Sequence, residues 1–147
     1  MSADEQTPVP TYFWVFWTAV MISIGIYLLV TTALHAFGDR GYDPDFVALV
    51  VETFALVALF CIGLMTAIRR WLYFAPLDRG DLDDDKRRRT NYFTSCILCW
   101  GLAEFVAVLG LALGLMTYNV FFYLPFGTLA VVLMAMLRPS TSDLNRG

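Results

Sequence analysis

Four apolar stretches separated by polar breaks set the pattern of this chain. They cover residues 12–34, 46–68, 92–117 and 120–137, and a helix of about 20 apolar residues crosses a bilayer. Between residues 92 and 137 the one formal charge is Glu104, so two helices must share that run, and Thr117-Tyr118-Asn119 is the expected break. Pro125 then either opens the fourth helix or kinks it near its start, and Arg138-Pro139 ends it. The predicted fold is all-α: a four-helix transmembrane bundle forming one domain.

Small residues recur within the third stretch at steps of three or four: Cys96, Cys99, Ala103, Ala107, Gly110, Gly114 and Thr117. At about 100° per residue they fall on one stripe of a helix. Gly110 and Gly114 form a GxxxG pair, which lets another helix come close in lipid. Glu104 sits on the flank of this stripe, beside Trp100 and Leu111. The second stretch repeats the arrangement, with Glu52 sharing a face with Ala48, Ala55, Gly63 and Thr66.

The polar breaks give the topology. Residues 1–10 are polar and acidic and lack the basic start of a secretory signal, so the first stretch is expected to be retained as a span. Its aromatic beginning, Tyr12, Phe13, Trp14, Phe16 and Trp17, fits an interfacial belt. Residues 35–45 are rich in Gly, Asp and Pro and read as a turn-rich loop holding His35. Residues 69–91 read as a long polar connection. Its Arg69, Arg70, Lys86, Arg87, Arg88 and Arg89 are expected at lipid headgroups. Acidic residues lead and basic ones follow in 81–89, pairing Asp83–Arg87, Asp84–Arg88 and Asp85–Arg89 at i,i+4, with Asp81 or Asp83 as cap. The third helix is therefore expected to start in this connection and run unbroken into the membrane. With four spans, nine of the ten Lys and Arg residues fall on one side, seven in the connection and two in the C-terminal tail, with Arg40 opposite. The positive-inside rule then predicts that both termini are cytoplasmic.

Composition agrees with membrane insertion. Of 147 residues 59% are hydrophobic, and mean hydropathy is +0.63. A net charge of −3, with arginines at the flanks of apolar runs, speaks against a nucleic-acid partner. Three cysteines inside apolar runs cannot all pair within one chain, so no disulfide scaffold is expected. A single histidine leaves any metal or haem underliganded. Glycine-rich phosphate loops, Ser-His-Asp sets and HExxH are missing from the sequence. The expectation is therefore no enzyme activity, no cofactor and no metal. The expected partners are the lipid bilayer and, through the small-residue stripes (Ala103, Ala107, Gly110, Gly114 and Gly63), further copies or other membrane subunits.

An ionised Asp at the centre of a membrane helix costs about 2.5–3.5 kcal/mol on insertion scales, and no Lys or Arg stands inside an apolar stretch to pair with Glu104. A carboxyl there is expected to be protonated, hydrated, hydrogen-bonded or bound to a cation. The functional reading makes Glu104 a proton or cation carrier. The blander one makes it a neutral carboxyl bonded to a carbonyl, a tyrosine or another subunit. Glu52 lies nearer the outer surface, offset from Glu104 by about two helical turns, which suits an accessory role. Tyr27, Thr31 and His35 are the polar residues nearest it. The candidate ion-binding set is Glu104, Glu52 and Tyr27.

Residues 103–111, AEFVAVLGL, resemble the carboxylate-bearing helix of rotary-ATPase proteolipids (c-type subunits), where A-E-x-x-A-x-x-G-L is common. The resemblance covers one helix. It implies a proton- or sodium-carrying Glu104 and small residues that pack a ring. The first stretch holds Gly25 alone, where the proteolipid partner helix repeats glycine. As a whole, the chain is similar to small bacterial four-span membrane proteins of unknown function. They share an aromatic first helix ending near a tyrosine (here Tyr27), a Glu-x-x-Ala-x-x-Gly third helix and an Arg-Pro stop. That similarity implies a bacterial inner-membrane location and no particular activity.

Three readings of function follow. The first is a non-enzymatic membrane protein packing through small-residue seams as a subunit or accessory of an assembly. The second is proton or cation translocation through Glu104. The weakest is a thiol oxidoreductase using Cys96 and Cys99, a pair that small polarizable core residues explain better.

Overall fold

The computed structural model describes residues 10–38, 43–78 and 85–139, and these are helical apart from turns and helix ends. Helix α1 spans Thr11–His35 and α2 spans Pro44–Arg69. A π turn, Arg70–Phe74, carries α2 into one last α turn, α3 (Ala75–Asp78). Helix α4 spans Asp85–Thr117 and α5 spans Val120–Met136. Three of these rods (α1, α2 with its π turn, and α4) are long and apolar enough to cross a membrane. The fourth, α5, has 17 residues, about 25 Å of helix.

Local chemistry sets the ends. Asp43 caps α2 by accepting from the Asp45 N–H at 3.0 Å, and Pro44 fills the first helical position, where a missing N–H costs nothing. Asn119 caps α5 through the Phe121 N–H at 2.9 Å. The α4–α5 break at 117–119 forms as expected, with Tyr118 in the left-handed region at φ 55. A non-glycine residue there costs about 1–2 kcal/mol. Gly38, at φ 89, leaves α1 with its N–H bonded to His35 O.

Four expectations are revised. In the stretch 69–91, α4 has begun by Asp85 as expected, but α2 does not stop at Ile68 and runs on helically to Asp78. Pro76 has no N–H and its ring crowds the preceding turn, and there the helix widens so that Ala75 N–H reaches Arg70 O. Pro125 lies inside α5, more than a turn beyond its start, so it does not open the helix. His35 is the last residue of α1 rather than a loop residue. Phe13 is buried at 2% exposure, stacked on Phe93 at 3.4 Å and edge-on to Trp100, so the aromatic opening of α1 is partly core. Asp81 and Asp83, offered as caps, and Asp84 lie outside the described residues, as do the side chains of Asp85 and Lys86.

Helix α4 is the axis. It packs against α1, α2 and α5, and α1 also packs on α5. Its small stripe is buried: Cys96, Cys99, Ala103, Ala107, Gly110, Gly114 and Thr117 all face inward. A Cβ on Gly110 would lie 2.6 Å from Phe126 Cβ, and one on Gly114 would lie 2.6 Å from Thr31 Cγ2. The GxxxG pair is thus spent inside the chain, on α5 and α1. Two tryptophans lock the other end. Trp17 Nε1 donates to Met134 O at 2.9 Å and Trp100 Nε1 donates to Leu137 O at 3.0 Å. Both carbonyls sit at the end of α5, where no helical N–H is left to reach them.

Candidate functional site

Glu104 is half-buried on the flank of α4 that meets α1. It lies about 20 Å from the Thr117 end of its helix, and Ser23 lies about 18 Å from the His35 end of α1, so the two meet at one depth. Ser23 and Tyr27 are four residues apart and share a face of α1. Ser23 Oγ stands 2.8 Å from Glu104 Oε1, and Tyr27 OH donates to the same oxygen at 3.1 Å. Ser23 Oγ is also 2.8 Å from Val20 O.

Those distances decide what the site can do. A hydroxyl has one proton to give and lone pairs to receive with. When Glu104 is ionised, Ser23 and Tyr27 both donate to Oε1. When Glu104 carries a proton, its O–H donates to Ser23 Oγ while the Ser23 proton turns to Val20 O. Both states are hydrogen-bonded on one set of heavy-atom positions.

Neighbouring contacts hold this geometry. Tyr123 of α5 reaches across and donates to Ile24 O at 2.7 Å, next in sequence to Ser23. Its ring lies against Gly127 of its own helix and against Gly110 of α4, where a Cβ would come within 2.5 and 3.2 Å of it. Glycine at both positions is what lets a tyrosine ring lie between the helices.

Of the candidate ion-binding set, the structure brings Glu104 and Tyr27 together and leaves Glu52 apart. Glu52 is exposed on the outward face of α2, with Ala48, Ala55, Gly63 and Thr66 exposed around it. A Cβ at Gly63 would meet nothing within 4 Å, so Gly63 packs no helix of this chain, unlike Ala103, Ala107, Gly110 and Gly114. His35 Nδ1 donates to Tyr118 O at 3.2 Å and the ring stands edge-on to Phe121, which ties α1 to the α4–α5 turn. Cys61, Cys96 and Cys99 are buried thiols in no disulfide, and Cys99 Sγ donates to Met65 O at 3.7 Å. Among the described residues no three His, Cys, Asp or Glu side chains gather as a metal site.

Ser23 was missing from the candidates. Its i,i+4 spacing to Tyr27 is matched by Tyr27 and Thr31, so spacing within α1 does not single it out.

Against known protein families, curated proteins and solved structures, the chain has no match. Its function therefore rests on the chemistry of its own side chains.

Proposed function

We propose that this chain is a non-enzymatic integral membrane protein in which Glu104 takes up and releases a proton within the bilayer. The observation that carries the reading is the Ser23 hydroxyl, 2.8 Å from both Glu104 Oε1 and Val20 O. It serves as donor to the carboxylate and as acceptor from the carboxylic acid. A proton suits the site better than a metal cation, which demands several converging oxygens. In this reading α5 is a fourth span. Both termini face the cytoplasm of a bacterial inner membrane, because the described Arg residues gather at the end where α1 begins and α5 ends.

The test is proton movement in liposomes under an imposed pH gradient, with carbodiimide labelling alongside. Glu104→Gln keeps shape and an acceptor oxygen but cannot ionise. Labelling should fall on Glu104 and proton uptake should vanish in the variant. Unchanged proton movement in a normally folded Glu104→Gln protein would remove the reading.

A second reading, a subunit or accessory of a membrane assembly, draws on the outward face of α2. There a carboxylate, Glu52, stands exposed in a span among Ala48, Ala55 and Gly63. Gly63→Leu and Glu52→Gln should then shift the particle to a smaller size in detergent, and an unchanged size would count against an assembly built on that face.

A further inference from the structure

We propose that the widened turn between α2 and α3 holds the phosphate of an anionic phospholipid. The inference is independent of the Glu104 site. Arg70, Trp71, Ala75 and Pro76 line a half-open groove of about 480 Å³ here, within the common size range of small-ligand clefts. Arg70 is exposed and, among the described residues, has no hydrogen-bond or ion-pair partner. Among the described residues it lies over no ring either, whereas the Arg69 guanidinium lies over Phe74 at 5.5 Å and that of Arg138 over Trp14 at 5.2 Å.

The rest of the groove suits a lipid rather than a free anion. Trp71 is 77% exposed at the end of a membrane-length helix, where an indole settles at headgroup level. Ala75 and Pro76 add an apolar wall. Arg70 thus offers a planar fork of donors matched to a phosphate, and Trp71 offers a ledge for the glycerol and upper acyl chain. The described side chains of Arg69, Arg87, Arg88, Arg89 and Arg138 lie at this same end of the bundle and raise the local concentration of anionic lipid. The π turn sets Ala75 one turn along from Arg70, with Ala75 N–H on Arg70 O, so the four lining residues share one side of the helix.

The experiment uses the full chain in detergent micelles, with bound lipid counted by native mass spectrometry. The arms are phosphatidylglycerol, phosphatidylcholine and inorganic phosphate. One phosphatidylglycerol should bind saturably, with phosphatidylcholine and phosphate far weaker. Arg70→Gln should weaken it about fivefold, whereas Arg87→Gln, on exposed α4 surface outside the groove, should change it less than about twofold. Equal weakening in the two variants would mean diffuse surface attraction and overturn the site. Inorganic phosphate binding as tightly as the lipid would overturn the lipid assignment, and the lack of any saturable lipid would overturn both. Thermal unfolding of each variant shows that it is folded.

Discussion

The hydroxyl of Tyr123 donates at 2.7 Å to the carbonyl oxygen of Ile24, joining α5 to α1 across a ring that also fills the space left by Gly110 and Gly127. Ile24 O already belongs to its own helix, so this bond uses the carbonyl's second lone pair. It fixes the backbone beside Ser23. Tyr123→Phe keeps the ring and removes the bond, and should cost about 0.5–1.5 kcal/mol, read as a lower unfolding temperature in detergent. Tyr123→Ala should cost more, because it also empties the space between three helices. A wild-type unfolding temperature for Tyr123→Phe would show that the bond contributes nothing.

Glycine positions should divide into two groups. A methyl at Gly110 or Gly114 would stand 2.6 Å from Phe126 Cβ or Thr31 Cγ2 and force helices apart, an overpacking cost of about 1–3 kcal/mol that grows with side-chain size. A methyl at Gly25 or Gly101 meets nothing within 4 Å. Gly110→Leu should therefore disrupt the fold more than Leu109→Ala, while Gly101→Ala should be neutral or slightly stabilising. Thermal unfolding of the three variants checks this, and similar losses at Gly101 and Gly110 would contradict the packing.

Ser23 and Tyr27 donate into one oxygen, so their losses should not add. Either hydroxyl alone keeps Glu104 Oε1 hydrogen-bonded, and removing both leaves it bare. A double-mutant cycle on Ser23→Ala and Tyr27→Phe should give a coupling of about 0.5–3 kcal/mol. In Glu104→Gln the coupling should shrink, because an amide oxygen is a weaker acceptor than a carboxylate. A coupling near zero in the parent protein would argue that the two hydroxyls do not share Glu104.

The three cysteines should behave as core. Cys61, Cys96 and Cys99 are buried and form no disulfide, so a maleimide should label them slowly in the folded protein and fully after denaturation. Cys96→Ser/Cys99→Ser should keep proton uptake in liposomes. Rapid labelling of Cys96 or Cys99, or a mass two hydrogens light, would return thiol chemistry to consideration.

The four rods and the inward stripe of α4 could be read from the sequence because each follows from spacing within one segment. Apolar length gave the rods, and the step from Cys96 through Gly114 gave the buried face. Glu104 stood out as the lone charge of its run. What spacing within a segment could not supply was the neighbour across the gap. Ser23 is one of several hydroxyl residues in α1, and only the meeting of α1 with α4 at one depth sets it apart. Trp17 and Phe13 share the composition of an interfacial belt, yet one donates to α5 and the other is core, a difference made by helix rotation. Paired arginines at 69–70 looked like the end of a span, but the backbone continues helically past them because a π turn absorbs Pro76. Gly63 resembles Gly110 in sequence, and only the placement of α2 turns it outward.

Helix α4 has 33 residues and no proline, which makes it about 50 Å long against an apolar slab about 30 Å thick. Its first turns, bearing Arg87, Arg88 and Arg89, must therefore stand clear of that slab or the whole rod must lean. The same unjointed rod carries Glu104. Anything that grips the protruding tip acts on a lever whose far arm is the acid, so a tilt outside the bilayer moves the carboxyl against Ser23 and Tyr27.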